Sequence, residues 1–340
     1  MRITLVLALL LSLVSCTDKL ELKVLQFNIW QEGTVIDGGF DAVVNEIIRT
    51  DADFITLSEV RNYDGTRFCD RIVAALKQKG ETYYSFFSHD SGVISRFPLV
   101  DSMTVFPLKN DQGSIYKLVA DVKGNKVSVY TAHLDYRNCA YYDVKGYNGS
   151  TWEAQAPVVN VDSVLLLNRK SVRDDAITAF IKDAATDIAN GNLVILGGDF
   201  NEPSHLDWIE ETKNSLDHQG LIIPWDVSTL LEAAGYIDSY RAKYPNPLTH
   251  PGITYPADAP ASPINKLTWA PKADERERID FIHYYPDSRL ELLESVVVGP
   301  SGSIERNKRV QSCSEDKFIE PVGLWPTDHK ALLTTFVLSY

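Results

Sequence analysis

Leu193-Val194-Ile195-Leu196-Gly197-Gly198-Asp199-Phe200-Asn201 is a run of four apolar residues that ends in two glycines, a carboxylate, a ring and an amide. A short continuous apolar run reads as a strand buried on both faces. The polar residues then stand where that strand leaves the core. Asp199 and Asn201, two apart, have the chemistry to handle a water or a proton. They also have the chemistry of a turn, since Gly, Asp and Asn all favour turns.

The same pattern recurs elsewhere in the chain. Leu25-Gln26-Phe27-Asn28 places an amide at a strand end, and Leu57-Ser58-Glu59-Val60 a carboxylate. Thr131-Ala132-His133-Leu134-Asp135 places an imidazole after a third apolar run, and Arg278-Ile279-Asp280-Phe281-Ile282 and Thr327-Asp328-His329 repeat the theme near the C-terminus. Taken singly, Glu59 is a surface charge and His133 a satisfied strand-end histidine. Their repetition in one chain is the informative feature.

Between these motifs the periodicity alternates between strand and helix. Strands are expected at Leu22–Phe27, Phe54–Leu57, Val93–Ser95, Ile115–Val122, Val127–Ala132, Leu193–Leu196, Arg278–Tyr285, Leu290–Val298 and Ala331–Leu338. Gly124-Asn125 reads as a hairpin turn. Helices are expected at Phe40–Arg49, where Val43, Val44, Ile47 and Ile48 form an apolar stripe, at Arg67–Gln78, and from about Arg173 to Ala189. Many strands with a few helices indicate an α+β layered sandwich. Three long stretches, 135–168, 241–276 and 299–326, are rich in Pro, Gly, Asn and Tyr, and loops of that length usually serve function. They are expected to wall one site, with Tyr136, Tyr141, Tyr142, Tyr147, Trp152, Trp269 and Trp325 as the rings available to a ligand.

In chain order, Asn28, Glu59, His133, Gly-Asp-Phe-Asn at 198–201, Arg-Ile-Asp-Phe-Ile at 278–282 and Asp-His at 328–329 resemble the endonuclease/exonuclease/phosphatase family. Ser95-Arg96-Phe97-Pro98 resembles a further segment of it. The resemblance implies a DNase I-like four-layer sandwich, two packed mixed β-sheets flanked by helices, with the site at one end. It implies a phosphoesterase using Mg²⁺, or Mn²⁺ in its place, held by Glu59 with Asp328 and Asn28. It further implies that Asp199 orients or deprotonates water, Asn201 positions it, His329 contacts a phosphoryl oxygen with Asp280 behind it, and His133 serves the opposite side. Apurinic endonucleases carry a Tyr-rich loop where this chain has Thr-Ala-His-Leu-Asp, so the resemblance is to the His-bearing branch. Within it a basic residue often contacts phosphate; Tyr116-Lys117 occupies that neighbourhood, and Arg137 and Asn138 are the other candidates for substrate contact.

Composition narrows the substrate. The chain of 340 residues carries a formal charge of −13, whereas nucleic acid is bound by clustered Lys and Arg that displace counterions. Arg306, Lys308 and Arg309 form the only obvious basic cluster in the long loops. The expected substrate is a phosphoester of a small molecule, lipid head group or glycan. A secreted nuclease is the alternative enzyme, and a catalytically inactive phosphate-binding module the alternative of another class. At the N-terminus, Arg2 precedes an apolar stretch, Ile3–Val14, too short to span a bilayer and suited to a secretory signal. Leu13-Val14-Ser15-Cys16 resembles a bacterial lipobox, with Cys16 as the acylated residue. The expected organisation is a signal peptide at 1–15, a lipid-anchored tether at 16–21 and the catalytic domain at 22–340. The protein is accordingly expected to be exported and lipid-anchored to a bacterial membrane, and a monomer is expected. Cys69, Cys139 and Cys313 remain, and export permits one disulfide among them.

Overall fold

The computed structural model describes residues 18–340, so the expected signal, residues 1–15, and Cys16 lie outside the described residues. Two sheets face each other. The first contains β1 (Lys19–Asn28), β2 (Phe54–Val60), β3 (Tyr84–Ser85), β4 (Asp90–Ser95), β11 (Leu290–Val298), β14 (Phe318–Ile319) and β15 (Ala331–Ser339), in the order β14-β11-β15-β1-β2-β4-β3. The second contains β5 (Leu99–Phe106), β6 (Gly113–Val122), β7 (Asn125–Leu134), β8 (Leu193–Asp199), β9 (Ile237–Asp238) and β10 (Asp280–Tyr284), in the order β5-β6-β7-β8-β10-β9. A small hairpin, β12 (Ser303–Glu305) and β13 (Lys308–Val310), stands apart. Both main sheets mix parallel and antiparallel pairs, as β1–β2 and β7–β8 run parallel.

Helices complete the layers. Gly39–Thr50 and Phe68–Gln78 bury Val43, Val44, Ile47, Phe68, Ile72 and Leu76 against Leu25, Phe27, Ile55 and Leu57 of the first sheet. Arg173–Ala189 buries Ala176, Ile177, Phe180 and Ala184, spaced at one helical face, against Tyr130, Ala132, Val194 and Leu196 of the second. Between the sheets lie Leu22, Val24, Phe54, Val127, Val129, Leu193, Ile195, Leu332 and Phe336. Each such side chain contributes about 1.5–3 kcal/mol when fully buried. The expected four-layer sandwich is the observed one.

Side chains alternate along a strand, and this places the site. On β1 the inward positions run Leu22, Val24, Gln26, Asn28; on β2, Phe54, Thr56, Ser58; on β7, Val127, Val129, Thr131, His133; on β8, Leu193, Ile195, Gly197, Asp199. The space between the sheets is therefore hydrocarbon at one end and polar at the other. Register aligns the polar ends, with Asn28 beside Ser58, His133 beside Asp199, and Asp199 beside Asp280.

Several boundaries and connections differ from expectation. β1 starts at Lys19, because residues 19–21 pair with Ser339, Leu338 and Val337, so the second half of the expected tether is sheet. Backbone pairing lengthens the strand whatever its side chains are. The exposed edge strand β5 and the helices Ala140–Val144, Val161–Asn168, Asp226–Ala233 and Ser239–Lys243 had no expectation. The stretch 135–168 is accordingly not a bare loop. Tyr141, Tyr142, Tyr147 and Val164 join Trp208 and Trp225 in a core of their own. All three described cysteines are free thiols, with Cys69 and Cys139 buried and Cys313 exposed. Among the described residues no helix is long and apolar enough to cross a membrane.

Candidate active site

The polar ends of the strands open into a cleft of about 510 Å³. Glu59, His133, Asp199, Asn201, Asp328 and His329 all line it. Asp199 is central. Its Oδ2 accepts from Asn28 Nδ2 at 2.9 Å, and the Nε2 atoms of His133 and His329 stand at 3.9 and 3.8 Å on either side of it. Its Oδ1 accepts from the Asn201 backbone N–H at 2.9 Å. Burial, followed by the neighbouring charge of Asp280, holds the Asp199 carboxyl above the ordinary carboxylate range.

Each histidine is backed by its own carboxylate. His329 Nδ1 meets Asp280 Oδ2 at 2.9 Å, and His133 Nδ1 meets Asp90 Oδ1 at 2.9 Å. Burial lowers an imidazole pKa, but here the nearby carboxylates prevail. Asp90, with Asp199 and Glu59, raises His133 to about 9, and Asp280, with Asp199 and Asp328, raises His329 to about 10. Both rings are therefore cations at neutral pH, with their Nε2–H groups turned toward Asp199. Burial raises Asp90 too, yet His133 and Arg61 hold it below its usual value. The Arg61 guanidinium bridges Asp90 and Asp111 at 2.9 and 2.8 Å and lines the cleft.

The residues present fit a hard cation. Glu59 accepts from Asn28 Nδ2 at 3.1 Å and from the Gln31 backbone N–H at 2.8 Å, and Asp328 Oδ1 accepts from the Thr327 hydroxyl at 3.4 Å. Burial pushes Asp328 up to about 7, and the charges of Glu59 and Asp199 press in the same direction. Carboxylates converging without a paired Lys or Arg among the described residues form an oxygen donor set of the kind Mg²⁺ prefers. Asp199, Asp280 and His329 also bring donor atoms within 4.8 Å of one another. There, however, His329 Nδ1 and Asp280 Oδ2 already satisfy each other, and Asp280 is fully buried behind the ring. Glu59 and Asp328 are the better pair. Asn28 enters differently from expectation: its Oδ1 accepts from the Trp30 N–H at 2.9 Å while its amide NH₂ bridges Glu59 and Asp199. It spaces the carboxylates, with its oxygen already engaged.

Backbone strain gathers here. Trp30, Gln31, Glu59, Asp90, Trp152 and Asn201 all have φ between 42° and 71°, a conformation costly for residues other than Gly and concentrated at functional sites. Glu59 sits at the β-bulge where β2 pairs with β4, which turns its carboxylate out of the ladder toward the cleft.

Other expected contacts are absent from the cleft. Arg137 is turned to Asp135 and to the Asn110 carbonyl, and Asn138 Oδ1 accepts from Ser150; the carbonyls of both accept from buried Arg173. They stabilise the loop. Lys117 faces away, paired with Asp183 and Asp187. Of the three long stretches, 135–168 and 241–276 wall the cleft, through Tyr136, Tyr141, Tyr142, Trp152, Tyr255 and Trp269. The stretch 299–326 does not: Trp325 is buried against Phe27, and Arg306 and Arg309 are paired with Asp217 and Asp258. Tyr147 lies in the core behind the wall.

Sequence reasoning missed Asp90, Arg61 and Gln26, whose amide donates to Ser58 Oγ and Asp280 Oδ1 at 3.2 and 3.3 Å. Asp90 did carry a signal. It begins β4, and because β4 is antiparallel to β2, the start of β4 lies at the same end as the finish of β2.

The model of the endonuclease/exonuclease/phosphatase family matches residues 25–329. An uncharacterized protein of Caenorhabditis elegans, F14F9.5, is 24% identical over 274 residues, 77% of this chain and 78% of that one. Among solved structures, D. rerio TDP2 complexed with single strand DNA product superposes with a TM-score of 0.53 at 14% identity, over 93% of this chain and 98% of that chain. An endonuclease/exonuclease/phosphatase family protein from Leptotrichia buccalis superposes with a TM-score of 0.50 at 16% identity, over 93% and 99%. At these identities the likeness to solved structures is one of fold.

Proposed function

Because this chain belongs to the endonuclease/exonuclease/phosphatase family, whose members are phosphoesterase hydrolases, we propose that it is a divalent-metal-dependent hydrolase of a phosphomonoester or phosphodiester on a small molecule, lipid head group or glycan. The observation that carries the reading is the pair of carboxylate-backed histidines aimed from opposite sides at Asp199, in the cleft that Glu59 and Asp328 also line.

Hydrolysis of such an ester needs an oriented water, neutralised phosphoryl oxygens and a stabilised leaving oxygen. A phosphoryl group in the cleft meets two imidazolium N–H donors, one from each wall. Asp199 lies between them and accepts the proton of the attacking water. Its raised affinity for that proton brings it closer to the working pH. Asn201 Nδ2 is tied to the Leu134 carbonyl at 3.0 Å, which leaves its oxygen to hold the water. Asp280 and Asp90 keep the histidine rings turned with Nε2 toward the substrate. Glu59 and Asp328 are the residues that would hold Mg²⁺ or Mn²⁺, which would supply positive charge to offset that of the phosphate. The apolar segment ending in Leu13-Val14-Ser15-Cys16 supports action outside the cytoplasm from a lipid anchor.

The test is an activity panel with and without EDTA, covering bis-p-nitrophenyl phosphate, p-nitrophenyl phosphate, sphingomyelin, inositol phosphates and plasmid DNA. Activity on at least one small phosphoester should vanish in chelator and return with Mg²⁺ or Mn²⁺. Full activity in EDTA would overturn the metal-dependent reading.

A further inference from the structure

Two stretches far apart in sequence meet over the cleft and bring a row of rings to it. Tyr142 and Trp152 come from 135–168, Trp269 from 241–276, with centroids 4.8 Å apart for Tyr142 and Trp152 and 5.5 Å for Trp152 and Trp269. Buried Glu275 ties the row together, accepting from the Tyr142 hydroxyl at 3.0 Å and from the Trp269 backbone N–H at 2.9 Å. Trp152 is held at φ 59°, and Trp269 is 51% exposed at the lip. A large ring left in water beside a catalytic centre, with a second ring tilted 38° to it on strained backbone, is a preformed aromatic surface rather than a core.

The rest of the lining says what such a surface would hold. Arg61 is the one Lys or Arg among the described residues that line the cleft, and it is paired with Asp90 and Asp111, too little for a polynucleotide track. Ile279 is the one aliphatic side chain among them, which gives an acyl chain no channel. Asp111, half exposed, and the hydroxyls of Tyr63 and Tyr136 line the same cleft and add polar atoms to it. Hydroxyl-rich rings pack their C–H faces on aromatic surfaces and present donors at their edges.

We infer that the Trp152–Trp269 wall is a subsite for a polyhydroxylated ring, a sugar or cyclitol, carried on the phosphate. The inference rests on the phosphoester reading above and specifies its substrate class. A glycosyl or inositol-type phosphoester enters with its phosphate between the histidines and its ring on the tryptophans.

The test compares matched pairs with Mg²⁺ present: glycerophosphoinositol with glycerophosphocholine as diesters, and inositol 1-phosphate with glycerol 3-phosphate as monoesters. In the pair that is hydrolysed, the ring-bearing member should have the lower KM by about tenfold, the scale of one aromatic packing contact. Trp269→Ala should erase that difference and leave kcat on the ringless member unchanged. Equal KM values in the unsubstituted chain would overturn the subsite, as would a Trp269→Ala variant that raises both KM values alike. Calorimetric titration of the same four compounds into His329→Ala separates the subsite from the chemistry. A ring preference there without any turnover in the unsubstituted chain sinks the phosphoester reading and keeps the subsite; turnover without any ring preference does the reverse. Tighter binding of uridine 5′-phosphate than of inositol 1-phosphate would reject the polyhydroxylated ring in favour of a base.

Discussion

His133 and His329 repeat one device on opposite sides of Asp199: an imidazole whose far nitrogen is held by a buried aspartate. The repetition makes separable predictions. Replacing either histidine with Ala should lower kcat by about 10²–10⁴ with folding intact, the range for a positioned acid or base; near-normal rates in both variants would mean the site is elsewhere. His133 must be protonated to donate, and its pKa is raised to about 9, so activity should fall as pH rises through about 9. Asp90→Asn removes the largest raising influence and leaves burial, which lowers an imidazole pKa, to act. The alkaline limb of the pH–rate profile should therefore move toward neutrality. An unshifted profile would show that Asp90 serves the fold and not His133. The histidines were legible in the sequence because each ends an apolar run. The backing of His329 by Asp280 came with the family resemblance, but the polarisation of His133 was not legible, because Asp90 lies 43 positions from it and meets it only after β4 and β7 are brought together.

At the scale of the strand, β8 and β10 carry constraints that composition alone conceals. Gly197 faces inward in β8, and a Cβ there would come 2.3 Å from Thr56 Oγ1 of the opposite sheet. The glycine lets the sheets approach at the level where hydrocarbon gives way to the polar network, and its turn-like neighbours disguised it as loop. Gly197→Ala should destabilise the chain by about 1–3 kcal/mol through overpacking, while Gly323→Ala, with nothing within 4 Å, should be neutral in the same denaturant titration. A neutral Gly197→Ala would deny the close approach. In β10, His283 is buried, its Nδ1 has no partner among the described residues, and burial lowers its pKa to about 4. The folded state keeps it neutral, while the unfolded chain takes a proton below about 6.5. This contribution to stability is full above that pH and is lost as pH falls toward 4, by roughly 3 kcal/mol. Comparing His283→Leu with the unsubstituted chain from pH 7 to 4 checks it, since the variant should lose less stability over that interval. Parallel curves would remove His283 from the account.

For the whole molecule, charge and the proposed anchor are the relevant quantities. With a formal charge of −13 and the 306–309 basic residues Arg306 and Arg309 consumed in ion pairs, plasmid DNA should be cut slowly. A small phosphoester should show only mild salt dependence between about 50 and 200 mM. Efficient DNA cleavage with a steep salt slope would promote the nuclease reading and leave the fold and catalytic residues as they stand. Cys16→Ser, expressed in a bacterial host, should abolish lipid labelling and move the protein to the soluble fraction. Retention at the membrane would require another attachment.

The sequence by itself determined which segments are buried strands, which end of each carries polar groups, and that the family's motifs stand in order from Asn28 to His329. These are local properties, set by side-chain alternation and by composition within a few residues. Only the tertiary structure decided what those groups do to one another. Strand direction brought the beginning of β4 and the ends of β2, β7 and β8 to one place, so that Asp90 joined a centre it does not neighbour in sequence and met Arg61 there. Loop packing turned Arg137 and Asn138 away and brought Trp152 and Trp269 together. Such pairings depend on register and on chain closure over tens to hundreds of residues. No periodicity within a short window encodes them.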